Sequence, residues 1–551
     1  MTLQIGRRIF VLCLIVILML SALGGRLYHL QIAKNVEYTA IAHSQRTLSL
    51  PLAPERGLIL DRNGEPLSDP VHTWKVGVFP PFLDDRQTEA AALARLLGDS
   101  AASVEEELWA LEKQGWLSHT IDGQTAAAVR DAGLAGIAAA PVLQRVGDQS
   151  LARHLLGYAN ANGGAMGLEY LYDQELKGGD VPKLTAYVDG HGNPLSGLGV
   201  RAVVPTAGKA PYQLITTIDR RMQAAVEEVL GETAAGRPVA AVVMDPENGE
   251  VLAMASRPDF DPRRVQNPAD PALFNRAVRA QPPGSVFKAV IAAAALEAGL
   301  VKPDEKFYCD GKHEHNGWTV TDAGHGWLTF REAVAKSCNI VFAQVGAERL
   351  GVAAMREAAE RFGFGAATDL AGRPWPEESA GTIRDEEPFN DVQMAIGQGD
   401  LQVTPVQVAR AYSAIANGGT LPAAKLVKAV KSPAGEVVTR PAAGRPERVM
   451  TKETAASMKK LLEGVTDPGG AGTGKLAWVS GAGSAGKTGS AEDGINDDGG
   501  AIVHAWFAGY VPRWKPKWTI VVMVEDGQAG GVAAAPIFAE IGERLIAIAG
   551  Y

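Results

Sequence analysis

The chain has 551 residues, of which 21% are charged and 46% hydrophobic, with a formal net charge of -9. That balance suits a folded chain of two or more domains and excludes a disordered one. The acidic excess argues against nucleic acid as a partner, and three cysteines are too few for a disulfide framework.

At the N-terminus, Arg7 and Arg8 precede Ile9 to Gly25, seventeen residues without a charge. That length is at the lower limit for a membrane-spanning helix. A cleaved signal peptide is the competing reading, but Ser21 to Gly25 offers no clear A-x-A site. Apolar spacing also continues through Leu27, Leu30 and Ile32, as if one helix ran out of the bilayer. The arginine pair then predicts a cytoplasmic tail over 1–8, a single-pass anchor over 9–25, and the remaining chain outside the cell membrane.

Residues 26–205 read as a mixed α/β segment. Arg56 to Gly64 is an apolar strand entering an Asn-Gly turn, and Leu93 to Gly115 has apolar residues at helical spacing. His154 to Tyr158 and Gly167-Leu168-Glu169 are short pieces that carry no chemistry by themselves. The stretch Pro205-Thr206-Ala207-Gly208 marks a boundary, with a second domain over 206–551. In it, Gln213 to Ile218 is a strand and Arg221 to Leu230 a helix. Val239 to Met244 and Glu250 to Ser256 flank a hairpin turn at Asp245 to Gly249. Helical sequence covers Ser285 to Leu300, Leu328 to Leu350 and Gln407 to Ala416. Strands return at Gly486 to Gly489, His504 to Tyr510 and Trp518 to Val524, before a closing helix from Pro536 to Ala549. Strands at both ends with helices between predict one sheet assembled from distant segments, an α+β domain.

Three motifs occur there in order: Ser285-x-x-Lys288, Ser337-x-Asn339 and Lys487-Thr488-Gly489-Ser490. On a helix, Ser285 and Lys288 share a face, and the helix N-terminus favours negative charge developing nearby. A serine needs a base, and a lysine serves only where burial or a neighbouring cation leaves part of it neutral. Ser337 can relay a proton, and Asn339 can hold a substrate carbonyl or orient Lys288; alternatively, Ser337 caps the following helix. On an edge strand, Lys487 and Thr488 would bind a carboxylate. The Ser490 backbone N–H could form an oxyanion hole with that of Ser285. Gly481 to Thr488 also fits the phosphate-binding pattern G-x-x-x-x-G-K-[ST] letter for letter. A nucleotide hydrolase would require a helix directly after Thr488, and Gly489 to Gly500 is a poor one. Cys309, His313, His315, Asp322, His325 and Cys338 allow a zinc site, a Cys309–Cys338 disulfide, or two unpaired thiols beside surface histidines. Their spacing matches no standard zinc site, so unpaired thiols are the expectation.

These motifs resemble those of class B penicillin-binding proteins, monofunctional peptidoglycan transpeptidases. Arg56-Gly57 with Asp61-Arg62-Asn63-Gly64, Gly167-Leu168-Glu169, Asp245-Pro246 and Gly397-Gln398-Gly399 with Thr404-Pro405 are similar to further family features. The resemblance implies a non-catalytic, dimerisation-like pedestal and a C-terminal penicillin-binding domain of the serine β-lactamase-like fold. It implies Ser285 as acylated nucleophile and Lys288 as its base. Ser337 and Asn339 become proton relay and substrate-amide contact, with Lys487, Thr488, Gly489 and Ser490 holding the terminal carboxylate and oxyanion. Stem peptides ending in D-Ala-D-Ala are the implied substrate and β-lactams the implied inhibitors, with no cofactor and no catalytic metal. A D,D-carboxypeptidase, a β-lactamase-type hydrolase and a penicillin sensor share the same motifs. No glycan-polymerising acidic motif is recognisable, which implies a separate multi-span membrane polymerase as partner. A chain beginning near Pro205 is expected to bind penicillin on its own.

Overall fold

The computed structural model describes every residue except 1, 36–37, 40, 43–45, 53–55, 161, 180–181, 196, 198, 204–209, 235, 384–389, 443, 496–499 and 551. The boundary expected at Pro205 to Gly208 therefore lies outside the described residues, as do Asn496 to Gly499 of the stretch weighed after Thr488. By contact, the chain forms two compact units that interleave in sequence. One comprises residues 1–55, 71–144 and 179–209, and the other 56–70, 145–178 and 210–551.

The first unit begins with the helix Thr2–Tyr28, which continues as a π-helical turn over His29–Ala33. Ile5–Ala33 is long and apolar enough to cross a membrane, and none of it is buried. Beyond it, Val71–Val78 lies between Gly115–Ile121 and Ile137–Gln144 in an antiparallel sheet. The helical pattern expected over Leu93 to Gly115 is two helices, Arg86–Leu97 and Ala101–Ala110. Gly98 ends the first in the left-handed region, and the Ser100 side chain caps the second by accepting from the Ser103 N–H. Val76, Val78, Leu93, Val104, Leu108 and Val129 form the core between helices and sheet.

The second unit is built on a five-stranded antiparallel sheet. Its strands are β1 (Val239–Met244), β2 (Val251–Arg257), β3 (Ala485–Ile495), β4 (Ala501–Val511) and β5 (Trp518–Val524), in the order β2-β1-β5-β4-β3. Val239 pairs with Val524 at the centre, so the expected assembly from distant segments is what forms. Alternation places Val239, Ala241 and Val243 against α1 (Arg220–Thr233) and the closing helix Ala534–Ala549, through Val226, Phe538 and Ile541. Ala240, Val242 and Met244 face the opposite core, shared with α2 (Lys288–Glu297), α3 (Phe330–Lys336), α4 (Asn339–Ala343) and α5 (Pro405–Ala416). Both faces are buried, which is why these strands read as continuous apolar runs.

Two stretches from the expected pedestal fold with this unit. Ile59–Leu60 pairs in parallel with Gln213–Thr216, and Leu155, Leu168 and Tyr172 join the same core as Met254 and Phe287. Arg56 ion-pairs with Glu169 and Asp173, and Arg145 with Glu169; the Arg56 and Glu169 side chains are each 5% exposed.

Candidate active site

Ser285 lies in a 3-10 turn, Gly284–Val286, just before α2 begins at Lys288. The helix expected from Ser285 therefore starts three residues later, with Ser285 on the turn and Lys288 at the start of the helix. Gly284 and Gly397 both have positive φ, and the Gly284 N–H donates to the Gly397 carbonyl at 2.8 Å. A Cβ on Gly397 would stand 2.0 Å from the Gly284 oxygen, so only glycine allows this approach. The buried Tyr412 hydroxyl, on α5, donates to the Val286 carbonyl and fixes the turn from beneath.

Ser337 ends α3 with φ 59, and Cys338 precedes α4. The capping alternative fails, because the Ser337 hydroxyl faces the two lysines instead of the α4 amides. The break falls where the sequence sets Ser337-Cys338-Asn339 between two helical stretches, Thr329 to Lys336 and Ile340 to Leu350. Lys288 Nζ donates to the Ser337 carbonyl at 2.8 Å, to Asn339 Oδ1 at 2.5 Å and to Ser337 Oγ at 3.4 Å. Lys487 Nζ donates to the same Ser337 Oγ at 2.7 Å. Asn339 Nδ2 donates to the Thr321 carbonyl, and the Asn339 N–H donates to Asp322 Oδ2 at 2.6 Å. Among the described residues, the half-buried Ser285 hydroxyl has no hydrogen-bond partner.

Both lysines are fully buried. Burial pushes the Lys288 ammonium down to about 7, against an opposing pull from Asp322. Burial, and then the charge of Lys288, hold Lys487 well below the ordinary lysine range. Two cations sharing one hydroxyl in a dry pocket disfavour simultaneous protonation.

Lys487, Thr488, Gly489 and Ser490 lie on β3, at the sheet edge. A strand through Thr488 overturns the phosphate-loop alternative, which needs a helix there. A Cβ on Gly489 would stand 2.9 Å from the Pro283 carbonyl, so the strand lies directly against the turn that carries Ser285. Thr488 Oγ1 is 2.6 Å from Thr473 Oγ1, Ser490 Oγ accepts from the Gly530 N–H, and Gln398 Nε2 donates to the Ser490 carbonyl. Ser285, Ser337, Thr473, Thr488 and Ser490 line one cleft of about 470 Å³. All eight residues singled out from the motifs thus converge. Gln398, from the Gly397-Gln398-Gly399 stretch, joins them, as do Thr473 and Asp322 by long-range contacts that no local motif announces.

A turn-borne serine, a lysine depressed by burial, a hydroxyl shared by two lysines and the second of those lysines on a strand fit a serine acyltransferase site on an α+β scaffold. A family model described as penicillin binding protein transpeptidase domain matches residues 239–543. Another, described as penicillin-binding protein dimerisation domain, matches 51–210. The chain belongs to this family, as a class B penicillin-binding protein and a serine-type transpeptidase. It is 33% identical to stage V sporulation protein D of Bacillus subtilis, over 97% of this chain and 84% of that protein. It is 28% identical to the peptidoglycan D,D-transpeptidase FtsI of Escherichia coli, over 98% and 91% respectively. Its fold matches penicillin-binding protein 3 of Mycobacterium tuberculosis complexed with aztreonam, with a TM-score of 0.66 at 27% identity, covering 91% of this chain and 97% of that one.

Proposed function

We propose that the protein is a peptidoglycan D,D-transpeptidase that cross-links stem peptides through an ester on Ser285, and that β-lactams acylate the same oxygen. The observation that carries this reading is the set of hydrogen bonds around Lys288. A neutral lysine has two N–H bonds and one lone pair. Two carbonyl acceptors, on Ser337 and Asn339, hold two hydrogens at 2.8 and 2.5 Å, and the contact to Ser337 Oγ is the longest at 3.4 Å, so loss of that third proton leaves a lone pair for a hydroxyl proton.

Ser285 Oγ attacks the carbonyl of the penultimate D-Ala while its proton passes to Lys288 Nζ. The backbone N–H groups of Ser285 and Ser490 hold the oxyanion. Collapse breaks the C–N bond, and the proton leaves with the terminal D-Ala by way of Ser337. An amine of a neighbouring stem then attacks the ester, forms the cross-link and returns the proton to Ser285. Lys487 and Thr488 hold the donor's terminal carboxylate, with the Thr473 hydroxyl fixing that of Thr488.

Within this reading, 1–8 is a cytoplasmic tail, 9–25 the anchor, and 26–205 the pedestal except for 56–70 and 145–178, which fold with the catalytic domain of 206–551 outside the membrane. A multi-span polymerase supplies the glycan. Intact mass after penicillin exposure tests the nucleophile: the native chain should gain about one adduct, and Ser285→Ala none. Undiminished adduct in that variant would sink the assignment.

A further inference from the structure

Four metal-ligand side chains outside the proposed catalytic set meet in one place. Cys309 ends the strand Lys306–Cys309, which pairs with Gly326–Thr329. Between those strands the chain makes the hairpin Lys312–His315 with Trp318–Thr321, and Asp322 and His325 follow at its base. Cys338 comes from the break between α3 and α4. The spacing is Cys309-x12-Asp322-x2-His325-x12-Cys338, which no sequence pattern for zinc anticipates, yet one ligand atom from each lies within 4.8 Å of all the others. Both cysteines are free and buried, at 1% and 0% exposure.

We propose that Cys309, Asp322, His325 and Cys338 form a tetrahedral site for a soft divalent cation of the zinc class. Zinc takes sulfur at about 2.3 Å and imidazole nitrogen at about 2.0–2.1 Å, so a tetrahedral S···N edge is about 3.5 Å. Cys309 Sγ and His325 Nδ1 are 3.5 Å apart. His325 Nδ1 and Asp322 Oδ2 are 4.0 Å apart, close enough to draw onto one ion. Asp322 also accepts the Asn339 N–H, the kind of outer hydrogen bond that orients a ligating carboxylate. Binding converts two thiols to thiolates and releases their protons to solvent, so uptake is accompanied by acidification. The ion would join the long hairpin loop to the turn that carries Ser337 and Asn339. This site stands apart from the assignment of Ser285, and metal content is measured without reference to acylation.

The test uses the full chain in detergent, reduced, loaded with zinc and desalted, with metal quantified by mass spectrometry. About one zinc per chain is expected, unchanged in Ser285→Ala and lost in Cys309→Ser and His325→Ala. Cobalt in place of zinc should give intense thiolate-to-metal charge-transfer absorption in the native chain, a readout that needs no variant to fold. A native chain that retains no zinc after desalting, native zinc content in folded His325→Ala, or a Cys309–Cys338 disulfide in the zinc-loaded sample would each overturn the proposal.

Discussion

Because burial holds Lys288 near 7, its free-base fraction changes across neutral pH. If it takes the Ser285 proton, penicillin acylation should rise about tenfold per pH unit below 7 and level off above it. Lys288→Arg should give no such rise, because a guanidinium stays charged. Stopped-flow acylation with a fluorescent penicillin measures both, and a flat profile in the native chain would remove Lys288 as base. The sign for stability is the same. The unfolded chain binds the proton up to about 10.5 and the folded chain only to about 7, so stability contributed by this group increases as pH rises between those values. The meeting of the eight residues of the proposed catalytic set was legible because each motif packs its chemistry within four consecutive positions. Thr473 and Asp322 were not, since a threonine and an aspartate in loops gain meaning only through partners far along the chain. The four donors of the proposed metal site were visible singly, and their convergence depends on a hairpin closing and two helices breaking.

At the scale of the element, the turn at Gly284–Val286 is held by the Tyr412 hydroxyl and by one backbone contact with Gly397. Gly397→Ala places a methyl 2.0 Å from the Gly284 oxygen at φ +80, whereas Gly435→Ala meets nothing within 4 Å at φ +84. The two substitutions share the left-handed penalty and differ in the collision. We expect Gly435→Ala to cost about 1 kcal/mol, and Gly397→Ala roughly 2–4 kcal/mol with slowed acylation. Denaturant melts of both variants, with adduct formation alongside, decide whether the approach matters as argued. Equal losses would mean that the turn adapts. Strands were legible where alternation, turn residues and apolar runs agreed, as at Val239 to Met244 and Trp518 to Val524. The helical pattern over Leu93 to Gly115 was over-extended for a physical reason: a left-handed Gly98 and a Ser100 cap divide it.

For the whole molecule, the interleaving of the two units revises what a shortened chain can do. A chain beginning near Pro205 lacks Ile59–Leu60, Leu155, Leu168 and Tyr172, all part of the second unit's sheet or core. We now expect such a chain to melt without a cooperative transition and to form little penicillin adduct, contrary to the reading from sequence. Parallel pairing across about 150 residues leaves no local signal, which is why these stretches read as spacer. In the full chain, Glu169→Ala leaves the buried Arg56 with Asp173 alone and takes the carboxylate from Arg145, and should cost roughly 3 kcal/mol in denaturant unfolding. A loss below 1 kcal/mol would mean that the cluster is dispensable. The central pairing of β1 with β5 has a further consequence, in time. Val239 waits for Val524 before the sheet has a middle. A nascent chain halted between Ser490 and Trp518 would hold every residue of the proposed catalytic set and no framework to aim them. Released from the ribosome at that length, it should not react with penicillin, so this protein gains its reactivity only after β5 has been made.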